Sequence, residues 1–157
     1  GINMMKKLLF IITLLFSFNT LAQEETIANC QGALGYAYYH SHGLVPHNEA
    51  GWGEDKITKG IFTLKKLDDD KLDLLFIDAT QSITSSIQSG GTIFPIIRTG
   101  NSISIIIIHK SIIETYSFWE NSENEYKFSL SQTKTGDIMV RKNSLLVGSC
   151  NYINFNY

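Results

Sequence analysis

Three histidines crowd one short stretch, Tyr38-Tyr39-His40-Ser41-His42 followed by His47-Asn48-Glu49. Alternate residues of an extended segment point the same way, so His40 and His42 can offer both imidazoles to one ion. His47, Glu49 or His109 would then supply a third ligand, and zinc or copper suits a nitrogen-rich set. A protein built on this cluster would carry a metal or use one in catalysis. Two histidines at that spacing specify little alone, however, and no loop here matches a known metal motif. Histidines on an exposed loop are the plainer reading.

Other chemistry finds less to stand on. Asp68-Asp69-Asp70, with Asp73 nearby, lacks the ladder of oxygens and the closing Glu of an EF-hand, and reads as a solvated hairpin turn. Asp78 in an apolar run could be an inward carboxylate partnered by Arg98, or simply a strand-end Asp beside Thr80. There is no Gly-x-Ser-x-Gly elbow and no phosphate-binding glycine loop, since Gly90-Gly91 reads as a hairpin turn. No catalytic residue is assigned, and the expectation is a protein that binds rather than one that catalyses. Tyr36, Tyr38, Trp52, Tyr116 and Trp119 are the candidate ligand-binding residues, because barrel mouths collect aromatics around apolar guests. The competing reading is that these rings only fill a small barrel.

The positioning elements begin after a leader. Met4-Met5-Lys6-Lys7, the apolar run Leu8 to Phe18 and small residues up to Ala22 form the three parts of a secretory signal. The apolar run is short for a membrane span, which needs about 20 residues. Residues 1–22 are therefore expected to be a signal peptide, with Gly1 to Asn3 as extra residues ahead of the initiator, and 23–157 to be a single β-domain. Removing Lys6 and Lys7 from the 13 basic residues leaves 11 against 15 acidic ones, a formal charge of −4. No basic cluster exceeds two residues, so nucleic acid is a poor partner. Cys30 and Cys150, the only cysteines, bracket almost the whole domain. In an exported chain they most simply form one disulfide, with free thiols or a metal pair as the alternative. A bridge would set the first ordered segment beside the last strand.

Cys30 to Lys56 is rich in glycine, histidine and tyrosine and has strand character only at Gly35 to His40, so it reads as a functional loop or a plug over one end of the core. From Ile57 onward the alternation is regular. Strands are expected over Thr58–Leu67, Leu72–Ala79, Ser82–Gln88, Thr92–Thr99, Ile103–Ile108, Ile112–Trp119 and Tyr126–Gln132. Ile138–Cys150 adds one long strand or two short ones. Four consecutive isoleucines, Ile105 to Ile108, imply that both faces of their strand are covered at its far end. About eight short strands with short turns and no helix point to an all-β antiparallel meander, an up-and-down calycin-like barrel rather than a sandwich. Pro95 removes a ladder hydrogen bond and belongs at an edge or bulge, where such a barrel would split.

Gly35-Tyr36-Ala37-Tyr38-Tyr39 through Gly43-Leu44-Val45-Pro46, then Ala50-Gly51-Trp52, and later Glu114 to Trp119, resemble a group of small exported bacterial β-proteins with no assigned activity. The resemblance covers most of the mature chain and implies no mechanism. The function expected is thus an exported, periplasmic or extracellular binding module for a small apolar ligand or a protein partner, meeting a membrane only during export. The alternatives are a metal protein using His40, His42 and His47, and a small outer-membrane barrel, to which the alternating tail Ile153 to Tyr157 points.

Overall fold

Alternation of enclosed and open side chains divides the chain into nine antiparallel strands in a computed structural model that describes residues 24–157. The expected signal peptide lies outside the described residues. The strands are β1 (Glu25–Tyr39), β2 (Gly51–Lys66), β3 (Leu72–Ile77), β4 (Ile83–Ser85), β5 (Thr92–Arg98), β6 (Ser102–Ile108), β7 (Ile112–Glu120), β8 (Tyr126–Lys134) and β9 (Lys142–Ile153). Helix is limited, among the described residues, to single turns at His47–Glu49 and Asp68–Asp70. All nine strands form one sheet in the order β4-β3-β2-β1-β9-β8-β7-β6-β5. Every sequence neighbour pairs except β4 with β5, and the first strand pairs with the last. The sheet therefore follows the expected up-and-down order and curls into a half-barrel, with an open seam where β3 and β4 face β5.

The seam falls where Pro95 predicts it. Pro95 sits on an edge strand, at the register shift between Pro95 and Ile97. The link that spans the seam is tied down by Asp73, a buried carboxylate on β3. It accepts a hydrogen bond from the Ser85 hydroxyl at 2.6 Å and another from the Ile87 amide at 3.2 Å. That arrangement shortens the strand expected over Ser82–Gln88 to three residues and leaves Ile83 and Ile87 exposed.

The core is aromatic at its centre. The Phe62 ring lies 5.0 Å from Phe76, 5.1 Å from Phe128 and 5.9 Å from Tyr116. Ile103, Ile105 and Ile107 back this cluster from β6 and are fully enclosed. The other isoleucines correct the expectation of a doubly covered strand: Ile106 is only partly covered and Ile108 is 41 % exposed. Among the described residues no layer covers the outer face at Ile106 and Ile108, so the isoleucines alternate with period two through the run. One end of the half-barrel, called the base here, is filled by Ile27, Ile153 and the tail. Phe155 and Tyr157 pack on the core, and the Arg98 guanidinium stands 4.2 Å over the Tyr157 ring.

Cys30 to Lys56 is the largest correction. Instead of a long loop or plug, it forms most of β1 and the first six residues of the 16-residue β2, with only residues 40–50 connecting them. The inner face of β1 carries Ala33, Gly35 and Ala37 while Leu34, Tyr36 and Tyr38 point outward, so the usual apolar-in pattern is inverted in size. Gly32 takes a positive φ of 59° at a bulge, and a Cβ on Gly35 would lie 1.9 Å from the Leu145 carbonyl oxygen. Weak intrinsic strand preference is offset by ladders on both sides of β1.

Cys30 and Cys150 are joined, directly opposite one another in the β1–β9 ladder, and close a separation of 120 residues. The bond accords with an oxidising compartment. Replacing both cysteines by serine is expected to lower the unfolding free energy by roughly 2–5 kcal/mol, read from the denaturant midpoint.

Candidate functional site

The register of the inner face stacks the candidate site in rows. Going across β7, β8, β9 and β1, the outermost row is Ile112, Lys134, Lys142 and Tyr39. The next is Glu114, Gln132, Ser144 and Ala37, and the third is Tyr116, Leu130, Leu146 and Gly35. Polarity thus falls with depth over two steps of the strand period. The rows open into a cavity of about 610 Å3, within the usual range for small-molecule sites. Phe62, Leu74, Phe76, Tyr116, Leu130 and Leu146 make its floor and lower wall. Asp55, Lys142, Lys134, Glu114 and Gln132 ring the mouth on one side, and the β6–β7 turn, His109 to Ser111, with Ser86 and Ser89 completes it.

Two of the charged groups are held within the protein. Asp55 reaches across β1 to take hydrogen bonds from the Lys142 ammonium and from the Ser144 hydroxyl at 2.9 Å. The crossing is possible because Gly35 and Ala37 leave no side-chain bulk between β2 and β9. Burial alone would raise the Asp55 carboxyl, but the hydrogen bonds from Lys142 and Ser144 and the Lys142 charge outweigh it and hold the group below its ordinary value. Glu114 accepts from the Gln132 amide through one oxygen and from the Tyr116 hydroxyl, at 3.3 Å, through the other. Burial, with the adjoining carboxylate, pushes the Tyr116 phenol well above its ordinary range, so it stays a neutral donor.

Lys134 differs. Its ammonium has no hydrogen-bond or ion-pair partner among the described residues, although the side chain faces the cavity from the end of β8. Burial lowers its pKa, and so does the neighbouring Lys142 charge, against smaller opposite effects of Glu114 and Asp55.

Of the five aromatics expected at the mouth, only Tyr116 lines the cavity. Tyr36, Tyr38 and Trp52 stand on the outer face, Trp52 being 77 % exposed, and Tyr38 and Trp52 meet edge-on at 5.5 Å. Trp119 shares the outward parity of Ser117 and lies opposite Ser102 and Lys127. For Tyr36 and Tyr38 the reason is the inverted β1: Ala33, Gly35 and Ala37 take the inner positions there, so the rings between them point out. With Leu34, Leu145 and Val147 these rings make an exposed apolar stripe over β2, β1 and β9.

The histidines do not converge. β1 ends at Tyr39, so the extended geometry that would align His40 with His42 stops before it can do so. His40 packs against the edge of Tyr38, His42 turns the chain back through a bridge to Val45, and His47 lies in an exposed helical turn. His109 is part of the cavity mouth instead. Among the described residues no three His, Cys, Asp or Glu side chains gather into an ion-holding group. Asp78 caps its own turn, accepting from the Thr80 amide and hydroxyl and the Ser82 amide, which matches the plainer reading of that residue.

Sequence reasoning missed Asp55, Glu114, Gln132, Lys134 and Lys142. A signal existed on β8, where Tyr126, Phe128, Leu130, Gln132 and Lys134 share one parity and pass from apolar to polar toward the strand end. No protein-family model, curated protein or solved structure matches this chain.

Asp55 has a pH consequence. Its lowered folded-state pKa contributes stability that is fully present above the unfolded carboxylate value and is lost as pH falls through the folded one. Asp55→Asn should therefore cost roughly 1–3 kcal/mol at neutral pH. The gap to the natural protein should narrow below about pH 4, as measured by urea unfolding across pH.

Proposed function

We propose that the protein is an exported, non-catalytic binding module, periplasmic or extracellular, that holds a small and largely apolar molecule in the half-barrel. The observation that carries this reading is the cavity of about 610 Å3 with its apolar floor and polar mouth. A floor of Phe62, Phe76, Leu130 and Leu146 would gain by covering, since each buried methylene contributes about 0.8 kcal/mol. The disulfide fits export, as does the sequence of the expected leader.

A protein partner is the second reading, and the exposed stripe of Leu34, Tyr36, Tyr38, Trp52, Leu145 and Val147 favours it. Two features weigh against an outer-membrane barrel. Its inside would be polar and its outside apolar, whereas here Phe62, Phe118 and Phe128 fill the inside and Glu54 and Lys56 lie outside. A membrane barrel also has no open edge, and this sheet keeps a seam.

Fluorescence titration with the neutral dye N-phenylnaphthylamine should show saturable binding. Thr84→Trp, which projects bulk into the cavity from an exposed strand, and Leu130→Trp should both abolish it, whereas Trp52→Ala on the outer face should leave it intact. Native mass spectrometry of protein taken from its host compartment should show a bound small molecule. No saturation and no adduct would reject the cavity reading and leave the outer-face partner.

A further inference from the structure

The charges around the cavity are not balanced by one another. Two carboxylates, Asp55 and Glu114, face three ammonium groups, Lys110, Lys134 and Lys142, so 3 − 2 leaves one positive charge. The carboxylates are also spent. Asp55 holds Lys142 and Ser144, and both oxygens of Glu114 are taken by Gln132 and Tyr116. Lys110 stands exposed at the tip of the β6–β7 turn, where water solvates it. Lys134 is left as the partly enclosed cation without a partner among the described residues, in the outermost row of the wall, one step above the polar row of Glu114, Gln132 and Ser144. A charge drawn partly out of water and given no counter-ion is costly, and a ligand that supplies one recovers that cost.

Resting on the cavity reading above, we propose that the bound molecule is an amphipathic monoanion, its apolar body against Phe62, Phe76, Leu130 and Leu146 and its anionic head on the Lys134 ammonium. The orientation follows from the rows of the inner face: the tail lies deep, toward the aromatic cluster, and the head lies at the level of Lys134. Lys142 and the turn at His109 flank the head, and the excess of ammonium groups over carboxylates around the cavity discourages a cationic one. The lowered pKa of Lys134, caused by burial and the Lys142 charge, agrees with this, since an anion beside it would act against that lowering.

The test is displacement of N-phenylnaphthylamine at submicellar concentrations of ligands sharing one chain: dodecanoate, dodecyl sulfate, dodecanol and dodecyltrimethylammonium. One or both anions should displace the dye about ten- to a hundredfold better than the alcohol, and the cation worst. Whichever anion is stronger distinguishes a carboxylate from a sulfate ester. Lys134→Ala should remove the preference without weakening the neutral dye, Lys134→Arg should keep it, and Lys110→Ala should change neither. Equal displacement by anion and alcohol would overturn the assignment while leaving the cavity reading in place. So would a preference that survives Lys134→Ala, or one lost equally in Lys110→Ala. Failure of the dye itself to bind would remove both.

Discussion

The pairing of the first strand with the last is the constraint on which the architecture depends. β1 to β4 form one run of antiparallel neighbours and β5 to β9 another, and the chain joins them only through the short link after β4. Without the β1–β9 ladder these would be two separate sheets, each with an apolar face and little to place it against. The ladder makes one sheet of nine strands, and its twist then brings the outer edges toward each other. Cys30–Cys150 fixes that ladder covalently across a separation of 120 residues. Pairing ends so far apart carries a large loop-closure cost, and a bridge lowers it by restricting the unfolded chain.

Close approach of β1 and β9 has a side effect at the other end of the same strands. The residues that permit it, Ala33, Gly35 and Ala37, leave a shallow trough on the inner face. Asp55 uses the trough to reach Lys142 and Ser144, two strands away, and so ties β2 to β9 over the top of β1. A larger side chain at position 37 would block that reach and fill part of the cavity. Closure of the sheet, the ion pair and the hollow are thus consequences of one decision about side-chain size. Where the sequence places bulk on β1, it places it outside, and the exposed rings of Tyr36 and Tyr38 follow from the same choice.

Legibility in the sequence tracked how far each signal is local. Alternation from Ile57 onward, turn residues and the position of Pro95 are carried by a few neighbouring residues, and they located the strands and the seam. The two cysteines carried the one long-range contact. β1 was legible as a strand only from Gly35 onward, because its inward positions are the small ones and its stability comes from partners on both sides. The candidate site was less legible still. Asp55 and Lys142 are 87 positions apart and meet only because of the register of three strands. The histidine cluster drew attention through residue type alone, and the end of β1 at Tyr39 separates its members. Lys134 was within reach of a parity argument along β8, had the change from apolar to polar on one face been taken as the rim of a cavity.

The two ends of the half-barrel show why a hollow forms at one and not at the other. At the base, bulky inward residues recur on several strands at one level, and the tail folds back so that Phe155 and Tyr157 fill what remains, with Tyr126 edge-on to Phe155. At the mouth the inward residues of β1 shrink, β4 is only three residues long, and the link from Ser86 to Gly91 passes over the seam without a large side chain pointing in. β9 runs from mouth to base, so the described residues after it, Asn154 to Tyr157, lie at the base. The polar groups there satisfy one another across strands, which lets the cavity persist without collapsing or demanding water at each atom, and no buried side-chain polar atom lacks a partner among the described residues. The rim is thus held by the Asp55–Lys142 pair and by the hydrogen bonds of Glu114 to Gln132 and Tyr116, with Lys134 beside them and without such a partner among the described residues.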